Sequence, residues 1–235
     1  MNTAVATLLE LQRSAGTRLH VLHVSSREAI RMIRAAKAAG RPVTAEANPF
    51  AMFITNSWDR VEQGGPYVLG QWVPDQDSEA MWETVVDGTI DVVGSDHAPH
   101  TSQEKQAGWD DLYAAPSGSP MIADYLRLLL TAVNDGRLSL ERVVELCCTA
   151  PARLAGLSGR KGVLTVGADA DLVIVDMDHE EVLRNENSPY KCRWTPANGM
   201  LTRGRPAVTV RRGTVIAEEG RVLAAAGSGQ FLGHG

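Results

Sequence analysis

Apolar residues along the chain repeat with helical spacing in some stretches and alternate in others, and the changes between the two periods mark out its elements. Thr3 to Ser14 carry Val5, Leu8, Leu9 and Gln12 on one stripe, which predicts a helix that stops at Gly16. Leu19 to Val24 then predicts a strand, with His20 on the face opposite Val21 and His23 because successive side chains point to opposite faces. Ser25 followed three residues later by Glu28 is the signature of a capping box, so a helix is expected from there to Ala39, ending at Gly40. Pro42 to Ala47 reads as a second short strand that ends at Asn48-Pro49. Strand, capped helix and strand in this order form a βαβ unit, which calls for parallel strands.

From Phe50 to Pro74 the pattern loosens around Gly64-Gly65-Pro66, and so long a loop in a compact α/β domain suits a lid or binding loop. Ser78 to Val86 predicts a short helix closed by Asp87-Gly88, followed by a strand over Thr89–Gly94. Thr101 to Tyr113 is polar and reads as surface loop, and Ala115-Pro116-Ser117-Gly118-Ser119-Pro120 as a tight turn. Helices are expected over Ile122–Val133 and from Ser139 to about Leu154. Beyond that, helical spacing gives way to glycine-punctuated alternations such as Leu172-Val173-Ile174-Val175. A boundary near Ser158 follows, with an α/β part over 1–158 and a β-rich tail over 159–235.

Composition narrows the classes. At 235 residues and 44% apolar content the chain can bury a substantial core. Its 23 Lys and Arg against 28 Asp and Glu leave a net charge of −5, which disfavours nucleic acid or an anionic membrane as partner. No apolar run is long enough to span a bilayer, and the first residues lack the basic and apolar regions of a secretory leader. The three cysteines, Cys147, Cys148 and Cys192, are neither even in number nor at metal-ligand spacing. Cys147 and Cys148 read as small core residues, and a reducing, cytoplasmic compartment is expected.

The candidate chemistry lies in Asp91-Val92-Val93-Gly94-Ser95-Asp96-His97-Ala98-Pro99-His100. A buried strand ends in two small residues and then delivers a carboxylate and two imidazoles within five positions. In an α/β barrel such groups sit at the C-terminal ends of strands, where an Asp can bind a metal and take a proton from water. Taken alone, the same residues also read as a turn whose Asp caps a helix and whose histidines are solvated.

Several segments together resemble the cyclic amidohydrolases, the dihydroorotases, hydantoinases and allantoinases. They are Leu22-His23-Val24-Ser25, Val43-Thr44-Ala45-Glu46, the Gly94–His100 stretch, Lys161-Gly162 and Gly167-Ala168-Asp169-Ala170-Asp171-Leu172-Val173-Ile174. The resemblance implies a (β/α)8 TIM barrel with a metal centre and a small flanking β-sandwich. It implies that His23 ends strand six as a metal ligand, and that Asp96 ends strand eight as both metal ligand and general base. The cofactor implied is a divalent metal, zinc by donor type and binuclear in the complete family site. His100 matches a substrate-contacting position and Ser117 and Gly118 a backbone-contact turn. His97 reads as a residue that orients its loop, whereas His20, His179 and His234 read as carrying no chemistry.

The family centre also uses a His-x-His pair, a carbamylated lysine and a further histidine on earlier strands, and this sequence holds no His-x-His. Met1 falls in the helix before strand six, so the chain is expected to supply strands six to eight of a partial barrel, with the β-sandwich portion after it. Two readings stay open: a metal-dependent hydrolase of a cyclic amide or ureide C–N bond, inactive as this chain alone, or a non-catalytic amidohydrolase-like subunit. The expected partners are a small ring substrate and either an N-terminal half or further copies of the chain. Where relatives carry a Pro-Pro-Leu-Arg type segment, this sequence has Val68-Leu69-Gly70-Gln71-Trp72-Val73-Pro74. Loss of the Arg leans the expected substrate from dihydroorotate toward hydantoins.

Overall fold

The computed structural model describes residues 1–55, 62, 64–67 and 73–233. The fold is α/β, with a three-stranded parallel sheet in the order β1-β2-β3 and a four-stranded antiparallel sheet in the order β4-β5-β6-β7. Packing divides the chain into two compact units, each assembled from two stretches: Met1–Tyr125 with Val182–Met200, and Leu126–Glu181 with Leu201–Gly235.

In the first unit, α1 (Asn2–Ala15) buries Val5, Leu9 and Gln12 and ends on Gly16 in the left-handed conformation. Gln12 sits on the apolar stripe, and its amide is satisfied there: it donates to the Thr17 carbonyl across 2.8 Å and accepts from Arg41 Nε across 2.7 Å. β1 is short, Leu19–Val21, and pairs in parallel with β2, Val43–Ala47, through Leu19 opposite Val43 and Val21 opposite Ala45. Between them α2 (Arg27–Ala38) presents Ala29, Ile30, Ile33 and Ala36 to the core. Its cap is Ser26, whose hydroxyl accepts from the Ala29 backbone N–H, and Glu28 turns instead to Arg31. The expected Ser25–Glu28 box is therefore displaced by one residue; Ser25 itself is buried.

Within the stretch expected to be loop, Asn48 caps a short helix, α3 (Pro49–Phe53), by accepting from the Ala51 N–H across 2.8 Å. α4 (Asp75–Asp87) starts earlier than its apolar stripe suggests and holds α3 in place, with Trp82 Nε1 donating to the Met52 carbonyl across 2.9 Å. β3 comprises Val92–Val93 and pairs in parallel with β2. Asp91, which opens the motif, is structural: its Oδ2 accepts from Lys37 Nζ across 2.5 Å and from the Ala45 N–H across 2.7 Å, which ties β2, β3 and α2 together. The 101–113 segment is not a plain loop. Thr101 and Glu104 form a complete capping box on α5 (Ser102–Gln106), the signature that three-residue spacing carries at this position too.

In the second unit, the helix after Ser139 contains a π-helical turn, Glu145–Thr149, between α-helical Leu140–Val144 and Ala150–Leu154. Leu146 takes the core position there, while Cys147 is half-buried and Cys148 exposed; burial pushes the Cys147 thiol up to about 12. The expected core role of Cys148 is not what the π-turn delivers, because its extra residue per turn rotates that side chain outward. The sheet comprises β4 (Leu172–Val182), β5 (Leu201–Arg211), β6 (Thr214–Glu218) and β7 (Arg221–Val222). The carboxylates of the Gly-Ala-Asp-Ala-Asp motif anchor its start. Asp169 and Asp171 both pair with Lys161, and Asp171 Oδ1 also accepts from the Arg212 N–H across 2.7 Å. Helical spacing ends after Leu154, and the Leu126–Glu181 stretch of the second unit runs through Ser158.

Candidate functional site

Three parallel strands end side by side. Beyond the formal end of β1 the chain stays beside β2, with Val24 N–H donating to the Glu46 carbonyl across 2.8 Å. On the other side, Gly94 N–H donates to the Ala47 carbonyl across 3.0 Å. His23, Asn48 and Asp96 therefore follow the C-terminal ends of β1, β2 and β3, and neighbouring ends are about 4.8 Å apart by strand geometry.

The backbone bends sharply at both outer residues. His23 has φ 38° and Asp96 φ 48°, two of the five non-glycine residues with positive φ among the described residues. Such a conformation is uncommon for a side chain that carries a Cβ and is held where the surroundings demand it. Here it turns each residue out of its strand, and both are exposed. His23 is thus past the regular strand, so simple alternation from His20 does not govern where its ring points.

His23, Asn48 and Asp96 line one cavity of about 220 Å³, together with Ser117, Gly118 and Met121. Asn48 is fully buried and donates from Nδ2 to Asp96 Oδ2 across 3.0 Å, so one oxygen of the carboxylate is oriented by the strand between the two candidate ligands. Its own Oδ1 is fixed by the α3 cap, which settles which end of the amide faces Asp96. In the sequence Asn48 reads only as the end of a strand, and the Asn-Pro step that follows it is the signal of its place. The opposite wall is the 117–121 segment. Ala98 N–H donates to the Ser119 carbonyl across 3.1 Å, and Gly118 adopts φ 104° with its Cα packed on Ala98. A Cβ at Gly118 would stand 2.7 Å from the Ala98 carbonyl oxygen, so only glycine allows that approach. The Ser119 hydroxyl is buried with no hydrogen-bond partner among the described residues.

The remaining candidates lie elsewhere. His100 is half-buried and contributes its carbonyl to Trp194 Nε1 at 2.7 Å. Its ring is not among the residues that line the cavity. His97 accepts two backbone N–H groups of the 121–122 segment at Nδ1. His20 Nδ1 is 2.8 Å from Thr44 Oγ1, and His179 lies 3.7 Å from Glu181. Gln71 and Trp72, on which the substrate expectation leans, and His234 lie outside the described residues.

An imidazole and an oriented carboxylate on one cavity fit part of the donor set of a borderline divalent cation. Among the described residues no third His, Cys, Asp or Glu completes a group with them. No helix among the described residues is long and apolar enough to cross a membrane.

A family model described as the Amidohydrolase family matches residues 6–216. The L-hydantoinase of Paenarthrobacter aurescens is 41% identical across 98% of this chain and 51% of its own length. A dihydroorotase of Halobacterium salinarum is 39% identical across 91% of this chain and 48% of its own. Among solved structures, the L-hydantoinase from Arthrobacter aurescens superposes with a TM-score of 0.88 at 39% identity, covering 95% of this chain and 50% of that one. D-hydantoinase from Bacillus sp. AR9 does so with a TM-score of 0.92 at 30% identity, over 98% and 51%. The chain spans about half the length of the curated relatives it matches.

Proposed function

The chain belongs to the amidohydrolase family, and we propose that it carries one side of the active site of a metal-dependent cyclic amidohydrolase, which opens a ring amide or ureide C–N bond. In this reading β1, β2 and β3 are strands six to eight of a (β/α)8 barrel, and the four-stranded sheet belongs to the flanking β-sandwich. The observation that carries it is the meeting of His23 and Asp96 on one cavity, with Asn48 orienting the carboxylate.

His23 and Asp96 would hold the cation. A divalent ion so placed supplies acidification of water and polarisation of a ring carbonyl. Asp96 has the chemistry of the general base: it accepts a proton from the attacking water and passes it to the departing ring nitrogen. Asn48 holds that carboxylate in place through Oδ2. The Ser117–Gly118 backbone, brought close by the glycine, offers amide groups to the ring. A cavity of about 220 Å³ suits one small ring rather than an extended ligand.

A catalytic zinc site normally uses three protein ligands. The remaining ligands would come from an N-terminal half, and the isolated chain is expected to be inactive and to bind metal weakly. Hydantoins stand first among the ring substrates; an L-hydantoinase is among the most similar relatives, and the sequence lacks the Arg that would meet a carboxylate substituent.

The test is to co-express the chain with the N-terminal half of the Paenarthrobacter L-hydantoinase, supply zinc, and assay hydantoin, dihydroorotate and allantoin. Ring opening, fastest with hydantoin and abolished by Asp96→Asn, supports the reading. A folded complex that opens none of the three would overturn it in favour of a non-catalytic assembly subunit.

A further inference from the structure

The wall formed by Pro116–Ile122 is held at both ends by side chains that the proposed chemistry leaves unused. At its start stands Lys105, 1% exposed, whose Nζ donates to the Pro116 carbonyl across 2.7 Å and lies 5.6 Å from the Trp194 ring centroid. Among the described residues no carboxylate pairs with it, and burial holds its pKa below the ordinary lysine value. A buried ammonium without a counter-charge is costly, and an apolar residue of similar length would fill the same volume more cheaply. The strong bond it makes is to the carbonyl immediately before Ser117.

At the far end, His97 Nδ1 accepts from the backbone N–H of Met121 at 3.1 Å and of Ile122 at 3.4 Å. A ring nitrogen that accepts from backbone amides carries no proton, so the neutral ring bears its proton on Nε2. The ring is backed by Tyr190 at 5.3 Å between centroids, and the Tyr190 hydroxyl accepts from the next amide, Ala123, across 2.8 Å. Between the two anchors, Ala98 bonds the Ser119 carbonyl and Gly118 packs on Ala98. The turn that faces Asp96 is thereby pinned to residues that follow Asp96 directly in sequence.

We propose that Lys105 and His97 are positioning residues that clamp the two ends of the 116–122 turn and so fix how far the Ser117–Gly118 backbone stands from Asp96. The consequence for a ring ligand rests on the function proposed above; the clamp itself does not.

The test measures thermal unfolding and residue-resolved amide exchange of the full chain carrying Lys105→Met, His97→Asn, His97→Gln or His97→Ala. Asn places its Oδ1 near the position of Nδ1, whereas Gln places an acceptor one bond farther out, and Ala none. The clamp requires exchange at Ala98, whose N–H donates to the Ser119 carbonyl, to quicken roughly tenfold or more in Lys105→Met, while the unfolding midpoint stays near wild type. It requires similar quickening at Met121 and Ile122 in His97→Gln and His97→Ala, with His97→Asn restoring protection. Exchange at these amides that stays as in wild type, or that changes only in step with global stability, would overturn the clamp and leave Lys105 and His97 as core residues. If the variants loosen the turn while the wild-type chain, complemented as above, opens no ring, the clamp stands and the proposed function falls. In an active complex, Lys105→Met is expected to raise KM for hydantoin more than it lowers kcat.

Discussion

Asn48 and Asp96 are joined by a 3.0 Å hydrogen bond from the Asn48 side-chain amide to one carboxylate oxygen, and Asn48 is fully buried while Asp96 is exposed. The strand between the two candidate metal ligands thus ends in a residue with two tasks. It caps α3 with its oxygen and orients the carboxylate with its nitrogen.

The two tasks separate by mutation. Asn48→Ser keeps a capping oxygen and is expected to retain most of the stability, whereas Asn48→Ala loses about 1 kcal/mol or more from the cap. Neither replacement reaches Asp96. Both are expected to weaken metal affinity or activity of the complemented enzyme by about 10–100-fold, the usual cost of removing a group that orients a ligand. Chemical denaturation and metal titration of the two variants check this; equal metal affinity in wild type and Asn48→Ser would contradict it.

Gly118→Ala tests the close approach on the opposite wall. The substitution asks a Cβ to sit 2.7 Å from the Ala98 carbonyl oxygen at φ 104°, so the turn has to move. A loss of about 1–3 kcal/mol in urea unfolding is expected from the strained backbone. The same residue at Gly16, where φ is also positive but nothing lies within 4 Å, is expected to show the conformational cost alone and serves as the control.

Acid exposes the anchor of the β-rich unit. The hydrogen bond and charge of Lys161 hold Asp171 below its ordinary value, helped by the Arg212 N–H; Lys161 and then Arg160 do the same for Asp169. A carboxylate depressed on folding contributes stability that is full above its unfolded value, about 3.9, and is lost as pH falls through the folded value. The difference in melting temperature between wild type and Asp171→Asn is therefore expected to hold steady from pH 7 to about 4 and to close below that. A gap that widens on acidification would contradict the assignment.

How much of this was legible in the sequence depends on how local each feature is. Asp96 stands out as a candidate because it follows an apolar run within a short motif, whereas His23 is singled out only through the resemblance to the cyclic amidohydrolases. Asn48 could not be found, since its role exists only once β2 is known to lie between β1 and β3. The cap of α2 falls on Ser26 rather than Ser25: two adjacent serines offer the same hydroxyl, and it is Ser26 that is extended and accepts from the Ala29 N–H. The Thr101–Glu104 box was present in the sequence but outweighed by the polarity around it. Lys105 gave no signal at all: a lysine on a polar helix reads as solvated, and only the packing of Trp194 and the 116–122 turn makes it buried. Strands came out shorter than their apolar runs, as at Thr89–Gly94, where only Val92 and Val93 pair regularly.

Whether His23 and Asp96 share one cation can be tested on the chain without any activity. Titrate the isotopically labelled chain with Mn²⁺ and follow paramagnetic broadening of its resonances. Shared coordination requires the signals of His23, Asn48 and Asp96 to broaden together over one concentration range, His23→Ala to remove the effect at Asn48 and Asp96, and Asp96→Asn to remove it at His23 and Asn48. Broadening confined to one of them, or persisting at His23 when Asp96 is replaced, would contradict it.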